Sequence, residues 1–120
     1  MQAQDIRTTK LVWTVTALSD INTNKNSAYT CVFETNGQQA IAWKQKNGAY
    51  NTSFAVTQLT GTWANVQADG QVVYDITLDG ETGTLTFARN ATGIFITLDL
   101  SQAGGSRLKH RYTVGQVVGF

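Results

Sequence analysis

Residues 70–101 read GQVVYDITLDGETGTLTFARNATGIFITLDLS, and their alternation decides the fold. Apolar side chains take every second position: Val72, Tyr74, Ile76 and Leu78, then Leu85 and Phe87, then Ile94, Ile96, Leu98 and Leu100. Between them stand Val73, Asp75, Thr77 and Asp79, then Thr84, Thr86 and Ala88, then Phe95, Thr97 and Asp99. Successive strand side chains point to opposite faces, so this pattern buries one face and wets the other. Asp79-Gly80-Glu81-Thr82-Gly83 and Asn90-Ala91-Thr92-Gly93 separate the runs at hairpin length. The stretch predicts a three-stranded antiparallel meander.

The same period extends in both directions. Lys10 to Ser19 sets Leu11, Trp13, Val15 and Ala17 against Val12, Thr14, Thr16 and Leu18. Asp20 to Ser27 reads as a polar loop, and Ala28 to Thr35 sets Tyr29, Cys31 and Phe33 against Thr30, Val32 and Glu34. Asn36-Gly37 and Asn47-Gly48 are primed-turn dipeptides, because both central positions of such a turn need positive φ. Between them, Gln39 to Lys46 places Ile41 and Trp43 opposite Lys44 and Lys46. Ala49 to Leu59 keeps Tyr50, Phe54 and Val56 in phase, and Gly61 to Gln67 reads as a short segment before the Asp69-Gly70 turn. The last run, Arg107 to about Val114, alternates Leu108, His110, Tyr112 and Val114 with Lys109, Arg111 and Thr113. Nowhere do apolar residues recur at helical spacing over three turns. Eight or nine short strands predict one all-β domain over residues 1–120, a meander closed into an up-and-down barrel. A two-sheet β-sandwich is the alternative; closure is favoured because an open meander leaves two exposed edges.

Composition narrows the function classes. Only 14% of residues are charged, against roughly 25% in an average domain, and the formal net charge is +1. Nothing here gives the basic footprint of a nucleic-acid binder, so no nucleic acid is expected as a partner. The single cysteine, Cys31, has no partner for an internal bridge and sits on the apolar phase, which predicts a buried, inert thiol. Met1-Gln2-Ala3-Gln4-Asp5 resembles the start of a mature chain behind a signal-cleavage point, so a secreted or periplasmic location is the expectation.

Chemistry-bearing residues are few. His110 is the only histidine, and without a second histidine or paired cysteines an ordinary zinc site is excluded; no metal and no cofactor are expected. Its phase directs it with Tyr112 toward the core, while Arg107, Lys109 and Arg111 share the opposite face as a solvated stripe, which Lys44 and Lys46 extend only if those strands are neighbours. Asp75 and Asp99 fall on the polar phase of nearby strands and are read as solvated outer-face residues. Three tryptophans and four tyrosines supply core filling, pocket walls or a sugar platform. No catalytic residue is assigned, because His110 has no evident nucleophile or carboxylate beside it in the sequence.

Gly61-Thr62-Trp63 resembles the Gly-x-Trp signature of lipocalin-like, calycin-type small β-barrels, with Arg111 in the last strand as the basic residue that packs on the signature tryptophan. The resemblance implies that Trp63 and Arg111 close one barrel end and that the other opens to an apolar ligand. The terminal alternating run to Phe120 also looks like outer-membrane barrels, whose apolar phase faces lipid. Several strands here read as shorter than the roughly 9–11 residues such barrels use, and a membrane partner is not expected.

The expected function is non-enzymatic binding of an apolar or amphipathic small molecule in the barrel. The predicted ligand-binding residues are Trp13, Tyr29, Trp43, Phe54, Tyr74, His110 and Tyr112, with Phe33 and Phe87 as further walls. The alternative is a surface interaction module for a glycan or protein partner, which a solidly packed interior would favour.

Overall fold

The computed structural model describes residues 10–21, 25–36, 41–45, 50–61, 63, 68–78, 80–101 and 107–119. Eight strands are present among them: β1 (Lys10–Asp20), β2 (Lys25–Asn36), β3 (Ile41–Gln45), β4 (Tyr50–Thr60), β5 (Gly70–Leu78), β6 (Glu81–Asn90), β7 (Gly93–Ser101) and β8 (Arg107–Gly119). Each is antiparallel to the next, and β8 returns to pair with β1, closing the barrel. The β1–β8 ladder removes both edges and excludes the sandwich. Odd-even alternation then settles the faces. Leu11, Trp13, Phe33, Ile41, Phe54, Val72, Tyr74, Leu85, Phe87, Ile96 and Leu98 are fully buried inside. Thr, Asp, Lys and Glu residues of the other phase lie partly or wholly exposed outside.

Several strands are longer than their apolar alternation suggests. β2 begins at Lys25 rather than Ala28, because Lys25, Asn26 and Ser27 pair with Asp20, Ser19 and Leu18 and extend the hairpin ladder. β8 continues past Val114 to Gly119, held by pairing of Gly119 with Leu11. β1, β2, β4 and β8 reach 11, 12, 11 and 13 residues, so among the described strands only β3, with five, falls short of the roughly 9–11 of a membrane barrel. Gly61, Trp63 and residues 68–69 are irregular rather than a strand; Thr62, residues 64–67 and the expected positions Gln39, Lys46 and Ala49 lie outside the described residues.

A register shift between Val15 and Ala17, present on both sides of β1, is the most consequential irregularity. A β-bulge re-phases the strand beyond it. Leu18, which simple alternation places outside, instead pairs with Tyr112 and packs on the core. Asp20 pairs with His110 on the same inward phase.

The lower end of the barrel, where β4 runs into β5, β1 begins and β8 ends, is closed by Trp63. Its ring is 2% exposed, lies 5.6 Å from the Trp13 ring, and donates from Nε1 to the Ala68 carbonyl at 2.9 Å. Trp13 in turn packs 4.9 Å from Phe87 and donates to Thr35 Oγ1 at 3.0 Å, which accounts for the single buried polar residue of the described core. Gly70 makes room for this plug, since a Cβ there would lie 2.2 Å from Trp63 Cδ1. The basic residue expected on Trp63 is elsewhere: the Arg111 guanidinium lies outside the barrel, 5.1 Å from the Phe95 ring centroid. β8 is inward only at even positions through this stretch, so Arg111 cannot reach an interior indole.

Candidate functional site

At the upper end, where β1 meets β2 and β7 meets β8, the inward phase turns polar. Tyr112, on β8, is 1% exposed and its Oη lies 3.3 Å from Nδ1 of His110, two residues earlier on the same face. Asp20 Oδ2 lies 3.9 Å from Nε2 of His110, an ion-pair separation longer than a hydrogen bond. Across the barrel, Tyr29 donates its hydroxyl proton to Gln45 Oε1. The Tyr29 and Tyr112 rings are 6.2 Å apart, and Trp43 stands edge-on to Tyr112 at 5.8 Å. Phe33 and Phe54 both stack with Trp43, at 5.6 and 6.0 Å.

Burial sets the protonation of this group. It raises the Tyr112 hydroxyl well above the ordinary phenol range, with Cys31 and Tyr29 adding to the shift. Tyr29 is raised for the same first reason, with Cys31 second. The Cys31 thiol is pushed up to about 11 by burial, opposed by the Trp43 indole beside it. All three are therefore neutral near pH 7. The direction of the Tyr112–His110 bond depends on the imidazole tautomer; in the tautomer that turns the Nε2 proton toward Asp20, Nδ1 accepts from the Tyr112 hydroxyl. The indole N–H of Trp43 faces the Cys31 sulfur, but the contact is not an ordinary hydrogen bond, and Nε1 is buried without a nitrogen or oxygen partner among the described residues.

Four of the seven expected ligand residues (Tyr29, Trp43, His110 and Tyr112) thus meet at the upper end, with Phe54 backing Trp43. Trp13 and Tyr74 do not join them; both pack on Phe87, on the Trp63 side of the core. Two site residues were not anticipated. Gln45 continues the Ile41–Trp43 phase and was legible on that ground. Asp20 was hidden by the bulge, which no residue in the 15–17 stretch announces.

A concavity lies on the outer face of β1, β2 and β3. It is a groove of about 550 Å³ lined by Val12, Thr14, Thr30, Cys31, Val32, Glu34 and Lys44. A 2.8 Å ion pair between Lys44 Nζ and Glu34 Oε2 borders it. None of the three indoles contributes, as Trp13 and Trp63 are buried and Trp43 is stacked inside.

Among the described residues the outer charges do not assemble into a site. Asp75 and Asp99 are separated by Thr84 of β6, which pairs with both. β3 lies between β2 and β4, so Lys44 does not extend the Lys109–Arg111 stripe of β8. No metal-capable group of three or more His, Cys, Asp or Glu occurs among the described residues. No family model, curated protein or solved structure matches the chain.

Proposed function

We propose that this protein binds a small amphipathic molecule non-covalently at the upper end of its barrel. The supporting observation is the convergence of Asp20, His110, Tyr112, Tyr29 and Gln45 on the inward face, in a barrel whose described core is apolar but for Thr35. Buried polar groups cost stability unless they serve a purpose or are fully paired, and ligand sites set a few convergent polar groups against apolar walls. Trp63 plugs the opposite end, which favours the upper end as the route inward. The ligand's apolar part rests on Tyr29, Trp43 and Tyr112, and its polar part meets the His110 side.

A catalytic role is not favoured. Burial keeps Tyr112 protonated and so a poor nucleophile, and the Asp20–His110 separation is too long to drive proton transfer. A membrane role is disfavoured by the inward direction of the apolar phase, the reverse of a lipid-facing barrel.

The test is a titration with N-phenyl-1-naphthylamine, read as quenching of tryptophan emission. Of the three indoles, only Trp43 lies at the upper end. We expect saturable quenching that is lost in His110→Leu and Tyr29→Ala and kept in the groove variant Val32→Glu. Absence of saturable binding overturns the reading. Loss in Val32→Glu alone transfers the function to the outer groove, whose volume and ion-paired border favour a surface module for a glycan or protein as the second reading.

A further inference from the structure

The three indole N–H groups of this barrel are not equivalent. Trp13 donates to Thr35 and Trp63 to the Ala68 carbonyl, both at ordinary hydrogen-bond lengths. Trp43 Nε1 is equally shut from solvent, yet no nitrogen or oxygen of the described residues accepts from it. Orphaned buried donors are rare in folded proteins, because each forfeits its hydration without compensation.

The neighbours cannot fill the gap. Cys31 Sγ is a weak acceptor, and with its pKa pushed up to about 11 it is a thiol at neutral pH. The Tyr29 and Tyr112 hydroxyls, bonded to Gln45 Oε1 and His110 Nδ1, keep acceptor lone pairs, but neither accepts from Nε1 of Trp43. An indole N–H is a donor only, so whatever completes it must bring an acceptor.

Resting on the upper end as the ligand site, we infer that the bound molecule presents a neutral carbonyl oxygen, as in an amide or ester, to Nε1 of Trp43. The surroundings decide between head groups. An ammonium has no lone pair to offer the indole. A carboxylate has, but it would have to shed its water among aromatic rings and neutral hydroxyls, with Asp20 at the rim adding like-charge repulsion. A carbonyl supplies the acceptor and keeps the desolvation cost small.

Isothermal titration with three matched-chain probes, octanamide, octanoate and octylamine, tests this at neutral pH. Octanamide is expected to bind about tenfold or more tighter than either charged probe. Trp43→Phe, checked for folding by circular dichroism, should weaken octanamide by about fivefold or more and leave octylamine within about twofold. Tightest binding by octylamine or octanoate overturns the inference, as does octanamide binding that Trp43→Phe does not alter. In those cases the upper-end site itself survives, since a probe still binds there. If none of the three binds, both readings fall. Should Trp43→Phe not fold, the ranking of the three probes on the unaltered protein decides alone.

Discussion

Replacing Gly70 by Ala attacks the closed end of the barrel at its tightest point. A Cβ built there sits 2.2 Å from Cδ1 of Trp63, 2.6 Å from Nε1 and 2.7 Å from Cγ, so one edge of the indole is struck along its length. Ordinary carbon contacts begin near 3.5 Å, so the ring must retreat by about 1 Å or more. It has nowhere to retreat without loss. Its N–H is held to Ala68 O at 2.9 Å and its face rests on Trp13, which is itself fixed to Thr35 and Phe87. Overpacking of a filled core costs about 1–3 kcal/mol, and a buried donor left without its acceptor adds about 1–3 kcal/mol. A destabilisation of about 3 kcal/mol is expected. Urea unfolding followed by circular dichroism measures it, and a red shift of tryptophan emission should report that Trp63 has moved toward water. Gly80→Ala is the matched control. Gly80 has φ +83° with nothing within 4 Å of the added Cβ, so only backbone strain of about 1–2 kcal/mol applies. If Gly70→Ala costs no more than Gly80→Ala and leaves the emission maximum in place, the description of Trp63 as a packed plug is wrong.

Two further substitutions probe the interior. Thr35→Val keeps the shape but removes the acceptor of the Trp13 indole; with both groups buried, a loss of about 1–3 kcal/mol in chemical denaturation is expected. The buried thiol predicts the alkaline limb of stability. The folded pKa of Cys31 is raised to about 11, so the folded state holds its proton more tightly than the unfolded chain does. The contribution is complete below the unfolded thiol value, about 8.5–9, and is lost as pH climbs toward 11, with an upper size of about 3 kcal/mol that solvent screening reduces. Tyr29 and Tyr112 shift in the same direction and extend the loss to higher pH. The melting temperature should therefore fall above about pH 9, and Cys31→Val should flatten the first part of that fall; an unchanged slope in the variant contradicts the assignment.

The barrel was legible because alternation and turn chemistry agree along most of the chain. Val72 to Leu100 alternates without a break, and the observed ladders of β5, β6 and β7 pair those residues in simple hairpin register. Strand ends were less legible where polar residues without apolar alternation join a ladder, as at Asp20–Lys25. The site was half legible. Phase alone directed Tyr29, Trp43, His110 and Tyr112 inward, but phase does not say at which height along the axis they meet. That depends on strand tilt and register, so Trp13 and Tyr74 could not be separated from them. Asp20 escaped for a sharper reason: a bulge inserts one residue into the count, and every inference past it is inverted. The Trp63–Arg111 pairing failed similarly, because odd positions of β8 near Arg111 face outward and Phe95 was the ring available there.

Seven of the eight ladders in this ring join strands that follow one another along the chain. The eighth joins residues 90 to 108 positions apart, from Asp20–His110 to Leu11–Gly119. Chain entropy resists that closure far more than it resists any hairpin, which makes the β1–β8 ladder the last to form and the natural place for the ring to come apart. Asp20 stands on one lip of it and His110 on the other. A molecule that touches both therefore acts as a clasp, and its affinity contains the free energy of keeping the ring shut. Occupancy would be felt as slower exchange of the β1 and β8 amide protons, far down the same ladder from the site.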